Sequence, residues 1–177
     1  QRVVVVGDVH GAHDSLVALL TESGLISADG RWTGGRAHLV MLGDLVDRGP
    51  RSRDVLDLVM RLQVEAREAG GRVHVVLGNH EVMNLVGDLR FVTESDWAAF
   101  APEEKPDERD RYIKRRLSLA AATNGQVTEQ RAILLEAFPA GYFARARAFA
   151  PEGPYGSWLL DQPILLVVND VVFVHGG

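Results

Sequence analysis

Seven side chains in this 177-residue sequence have types and spacing suited to chemistry on a charged substrate: Asp8, His10, Asp44, Asp47, Asn79, His80 and His175. They fall in four short runs, GDVHG, GDLVDRG, GNHE and HGG. Hard oxygen donors mixed with imidazole suit Mn²⁺, Fe or Zn²⁺ better than Ca²⁺ or Mg²⁺. If Asp44 bridges two ions, they would stand about 3.5–4 Å apart, the separation that supports in-line displacement at phosphorus. The expected nucleophile is then a metal-bound hydroxide, with no covalent phosphoenzyme. His80 is placed to protonate the leaving oxygen, which would otherwise depart as a costly alkoxide. Asp47 can keep that imidazole oriented and protonated. Arg48 offers a guanidinium fork for phosphate oxygens.

The elements that must position these groups are also legible. Apolar runs at 3–6, 39–42, 73–77 and 171–174 each lead into one of the four polar clusters. Asp8, Asp44 and Asn79 lie 36 and 35 positions apart, about one βα unit each. Helical spacing at 15–20 and 53–69 supplies the crossovers, the second closed by Gly70 and Gly71. This pattern predicts an α/β chain with a parallel sheet covered on both faces, its polar loops converging beyond the carboxyl ends of the strands. Residues 24–35 read as a loop or small hairpin, and residues 163–177 as a hairpin turning at Asn169-Asp170. Residues 87–157 read as a helical cap on a single domain spanning 1–177.

Composition removes several classes of function. The formal net charge of −5 gives no footprint for nucleic acid or an anionic membrane, and no apolar stretch approaches the roughly 20 residues of a membrane helix. Without cysteine there is no thiol nucleophile and no Cys-ligated zinc. There is no GxxxxGK[ST] loop, GxGxxG turn or GxSxG elbow. A phosphoaspartyl mechanism at Asp8 would need a second acid two positions on, where His10 stands. A cytoplasmic location is favoured; because the sequence opens on Gln1 and not Met, periplasmic or secreted is the expectation if an export signal was removed.

The four runs resemble the signature set of the calcineurin-like metallophosphoesterases, in the phosphoprotein phosphatase branch. GLISADGRWTGG, GNHEVMNLVGDLRFV and GPYGSWLLDQP look most like the Shewanella-like protein phosphatases within it. The resemblance implies that Asp8 and His10 bind a first divalent ion, Asn79 and His175 a second, and Asp44 both, with manganese the expected metal. It implies His80 as general acid paired with Asp47, Arg48 on phosphate, and a phosphorylated protein or peptide as substrate. The implied fold is a β-sandwich of mixed sheets flanked by helices. That family draws a further histidine ligand and another phosphate-binding arginine from sequence beyond HGG. The chain read to Gly177 is therefore expected to be C-terminally incomplete, with a weakened second site and low activity. Two other functions fit the motifs: a nucleotide pyrophosphohydrolase or phosphodiesterase of the dinucleoside-polyphosphate type, and a non-catalytic module that binds phosphorylated partners. Oligomeric state is not legible.

Other conspicuous residues have plainer readings. His38 and His74 alternate with apolar neighbours and read as packed or hydrogen-bonded, and His13 as a helix starter. Arg111, Lys114, Arg115, Arg116, Arg145 and Arg147 read as a solvated face or as partners of the acidic linker at 102–110, with an acidic phosphopeptide, or replacement of the missing phosphate-binding arginine, as the alternatives. Trp158 reads either as a groove wall or as an anchor for the cap. Trp32, Trp97, Phe91 and Phe100 read as minor core.

Overall fold

A computed structural model describes the backbone of residues 1–124 and 127–176, and the side chains of 1–119 and 130–176. The final glycine of the HGG run lies outside those residues. Strand β1 (Val3–Val6) leads to helix α1 (His13–Glu22), β2 (His38–Met41), α2 (Ser52–Glu68), β3 (Arg72–Val75) and α3 (Asn79–Val86). The three strands form one parallel sheet in the order β1-β2-β3, as the crossover pattern requires. Register aligns Val4, Leu39 and Val73, then Val6, Met41 and Val75, on one face. That face joins Leu56, Val59 and Leu62 of α2 in a single apolar core.

The opposite face is not fully covered, contrary to the expectation of a doubly covered sheet. Val5 there is 45% exposed and His38 and His74 on the same face are only half-buried, although Val40, paired with Val5, is fully buried. The imidazole nitrogens of His38 and His74 meet at 3.1 Å, so this pair is hydrogen-bonded as expected.

Residues 94–160 are largely helical: α4 (Glu94–Ala98), a 3₁₀ turn, α5 (Glu108–Asn124), α6 (Val127–Ala137), α7 (Tyr142–Ala148) and α8 (Pro154–Leu160). Tyr112, Phe138, Tyr142 and Phe143 pack their rings together, and Trp97 stacks on Tyr142, so this region has its own small aromatic core. Trp158 anchors α8 to α2 by donating from Nε1 to Gln63 at 2.7 Å. Among the described residues no helix is long and apolar enough to cross a membrane.

Strands β4 (Leu165–Val168) and β5 (Val171–Val174) form an antiparallel hairpin. Its turn is at Asn169 and Asp170, both left-handed with φ of 50° and 63°, as a two-residue I′-type connection needs. The fold is thus mixed α/β with helices flanking small sheets. Within the described residues the first sheet is parallel and the second antiparallel, in keeping with the implied arrangement of sheets flanked by helices. The tight turn commits β4 and β5 to each other, and the backbone meets the parallel sheet through the Leu77 N–H donated to Pro163 O at 2.9 Å.

Candidate metal centre

Each parallel strand stops where its loop must turn sharply, and the turn aims a polar side chain back at the sheet's carboxyl edge. His10, Asp44, Asp47 and Arg48 all have positive φ, between 46° and 69°, a region that residues with a Cβ rarely occupy. Gly78 is required for a different reason, since a Cβ there would run into the Asp44 carboxylate and backbone. Glu81, one turn into α3, accepts the N–H groups of Gly78, Asp44 and Leu45 at 2.9, 2.8 and 2.8 Å. This fully buried carboxylate ties the Asp44 loop to the start of α3. Burial pushes its pKa up, opposed by the three amides.

The residues singled out from the four motifs come together. Asp8, Asp44 and His175 offer ligand atoms within 4.8 Å of one another, and so do His10, Asp44 and His80. Asp44 lies between two imidazoles. Its Oδ2 is 3.6 Å from His10 Nε2 and its Oδ1 is 3.5 Å from His175 Nε2. His10 Nδ1 meets the Val46 carbonyl at 3.0 Å and His175 Nδ1 meets the Leu42 carbonyl at 2.8 Å. A carbonyl only accepts, so in both rings Nδ1 carries the proton and a neutral ring leaves Nε2 as a lone-pair atom. His175 Nε2 then faces another lone-pair atom, Asn79 Oδ1, at 3.0 Å. Converging acceptors with the second nitrogen of each histidine held by backbone are what a divalent cation site requires. The donor set therefore fits metal ions.

Beside this cluster, His80 Nδ1 donates to Asp47 Oδ2 at 2.8 Å, both residues almost wholly buried. His80 Nε2 is buried without a partner, leaving that end of the ring uncommitted. The N–H of Asp47 donates to Ser52 Oγ at 3.0 Å, and that hydroxyl donates to Asp96 Oδ2 at 3.1 Å. Burial raises the Asp96 pKa. Arg48 is exposed on the rim, with its guanidinium carbon 5.4 Å from the centre of the Phe91 ring, which is itself 5.1 Å from the His80 ring.

Two placements differ from the sequence-based reading, and a third takes its intramolecular option. Phe91 is not minor core: at 39% exposure it walls the site between His80 and Arg48. Arg145 is not on a solvated face but is buried, 1% exposed. Arg147 spends its charge within the chain on Glu108, at 2.5 Å. Glu81 and Asn84 received no role from the sequence. Glu81 carries a usable signal, because an acidic residue three positions after the Gly78 N-cap is a capping-box pattern. Asn84, one turn beyond His80, has none by itself.

The whole chain, residues 1–177, matches the calcineurin-like phosphoesterase family. It is 33% identical to Shewanella-like protein phosphatase 2 of Arabidopsis thaliana over 195 aligned residues, covering 100% of this chain and 46% of the plant protein. The crystal structure of a cold-active protein-tyrosine phosphatase from a psychrophilic Shewanella superimposes with a TM-score of 0.68 at 33% identity, covering 99% of this chain and 41% of that one. A shorter similarity, 42% over 78 residues, joins it to a symmetrical bis(5′-nucleosyl)-tetraphosphatase of Escherichia coli, covering 44% of this chain and 23% of that enzyme. The chain thus spans less than half the length of each of these proteins.

Proposed function

The chain belongs to the calcineurin-like phosphoesterase family, and from that premise we propose that the protein is a metal-dependent phosphomonoesterase acting on phosphoproteins. Asp8 and His10 would hold one divalent ion, Asn79 and His175 another, and Asp44 both. Mn²⁺ suits this oxygen and imidazole set, with Fe and Zn²⁺ the alternatives. Bound there, such ions neutralise phosphate charge and acidify water for in-line attack at phosphorus. The single observation that carries the reading is that the two Asp44 oxygens face different imidazoles, with the Asp47–His80 pair alongside.

The chain's own residues supply the other roles. His80, fixed through Nδ1 on Asp47, gives a proton from its other side to the departing oxygen. Asp47 holds the ring in that orientation. Arg48, exposed on the rim, takes phosphate oxygens in its fork. Phosphoprotein as the substrate class is supported by the similarity to a protein phosphatase and a protein-tyrosine phosphatase. The tetraphosphatase similarity favours a second reading, hydrolysis of dinucleoside polyphosphates. Phosphate release from phosphopeptides and from diadenosine tetraphosphate, measured side by side with added Mn²⁺, separates them. Faster turnover of the nucleotide would reject the phosphoprotein reading.

A further inference from the structure

We infer that Arg145 is a positioning residue for the Asp47–His80 pair, acting through Asn84. Asn84 Nδ2 donates to Asp47 Oδ2 at 3.0 Å and to the His80 carbonyl at 2.9 Å, while its Oδ1 accepts from Arg145 Nη2 at 2.6 Å. Asp47 Oδ2 consequently receives two donors, His80 and Asn84. Two acceptors call for the NH₂ of Asn84 on the dyad side, and Arg145 anchors the other end of the same amide. A guanidinium can only donate, so it fixes the amide oxygen on its own side and turns the NH₂ towards Asp47. Without Arg145 the amide loses the anchor at its oxygen and is free to turn away from Asp47, which would leave the carboxylate looser on the His80 ring.

The setting of Arg145 argues against plain charge pairing. Its Nη2 stands 3.9 Å from Asp47 Oδ1, which has no hydrogen bond, so its short contact is spent on the amide instead. The guanidinium carbon lies 4.2 Å from the Phe149 ring centre and 5.2 Å from that of Trp97. Two aromatic faces thus hold the flat group where a flexible ammonium would not be held. Burial draws the Arg145 pKa down to about 10, opposed by Asp96 and Asp47, so the group stays charged at neutral pH. The Arg145 side chain of helix α7 thus reaches Asn84 across 61 positions of sequence, and the dyad through it.

This inference rests on the phosphatase reading of the site, and the test separates the two. In the full Mn²⁺-loaded chain, Arg145→Met is compared with wild type on a phosphoserine peptide and on 4-nitrophenyl phosphate. Nitrophenolate leaves without help, whereas a serine alkoxide needs the His80 proton. The expected loss is about 10–100-fold in kcat on the peptide and under about threefold on the nitrophenyl ester, with Arg145→Lys recovering part of it. Arg147→Met, on the same helix but paired with Glu108, should leave both rates unchanged. Equal losses on the two esters, or none, would overturn the inference. The hydrogen-bonded His80 Nδ1 proton, read by NMR, should shift or broaden in Arg145→Met. If it stays as in wild type in a folded variant, the inference fails. A wild-type protein that hydrolyses neither ester when assayed at its full natural length rejects the phosphatase reading alone, since the proton signal still reports on the relay. Should Arg145→Met not fold, Asn84→Ser breaks the same link from its other end, with the same outcomes.

Discussion

The two sides of Asp44 are built on different terms. Towards α3, Asp47, His80, Asn84 and Arg145 are buried and bonded to one another, so the protein orients them before anything binds. Towards the hairpin, Asp8 and Asn79 are exposed, and His175 arrives on a two-stranded element whose outer residues Leu165, Val167, Val171 and Val172 are all open to solvent. The half proposed to donate the proton is rigid through its own hydrogen bonds. In the other half the two histidines are held at Nδ1 by backbone carbonyls, and their Nε2 atoms converge with carboxylate and amide oxygens that, on the proposed reading, a cation would bring together. Removing a side chain should thus cost turnover on one side and metal on the other.

The largest effect falls on the residue common to both sides. Asp44→Asn should lose both ions by elemental analysis and lower turnover on the order of a thousandfold. Retention of two ions would break the comparison, because Asp44 would then not join the halves. His80→Gln should cost about a hundredfold or more in kcat with metal content unchanged. A matching loss of metal would show that the rigid half is also holding ions. Glu81→Gln comes next. A carboxamide can satisfy the amides at one end only, so thermal unfolding should report about 1–3 kcal/mol less stability, with metal affinity down about 10–100-fold.

The smallest effect lies away from the site, on the uncovered sheet face. Burial and the nearby Arg72 charge lower the pKa of His38, and burial, His38 and Arg72 lower that of His74. Folded pKa values below the unfolded value of about 6.5 mean that the unfolded chain takes up protons first as pH falls. Stability from this pair is therefore complete above about pH 6.5 and declines below it. His74→Gln should flatten that decline in chemical denaturation series at successive pH values.

The same contrast explains what the sequence could disclose. Asp8, Asp44 and Asn79 each follow a strand directly, so strand period and loop composition place them without knowledge of tertiary contacts. Helices α1 and α2 were readable from their apolar spacing to within two residues of most of their ends. The Asn169-Asp170 turn was readable because both residue types tolerate left-handed backbone. Arg145 was not, because its partner Asn84 is 61 positions away and a basic residue on a short helix looks solvated until the fold closes over it. Phe91 was misread for a related reason: an aromatic residue after a helix signals burial, and only the folded loop shows it beside His80.

Arg48 stands exposed with φ of 62°, a backbone state that costs a residue with a Cβ on the order of 1–2 kcal/mol and glycine very little. On the proposed role of Arg48, heat tolerance and phosphate capture therefore compete for one codon. Under a screen for thermal survival alone, glycine at position 48 should be enriched, and those heat-hardy clones should be the ones that grip anions worst.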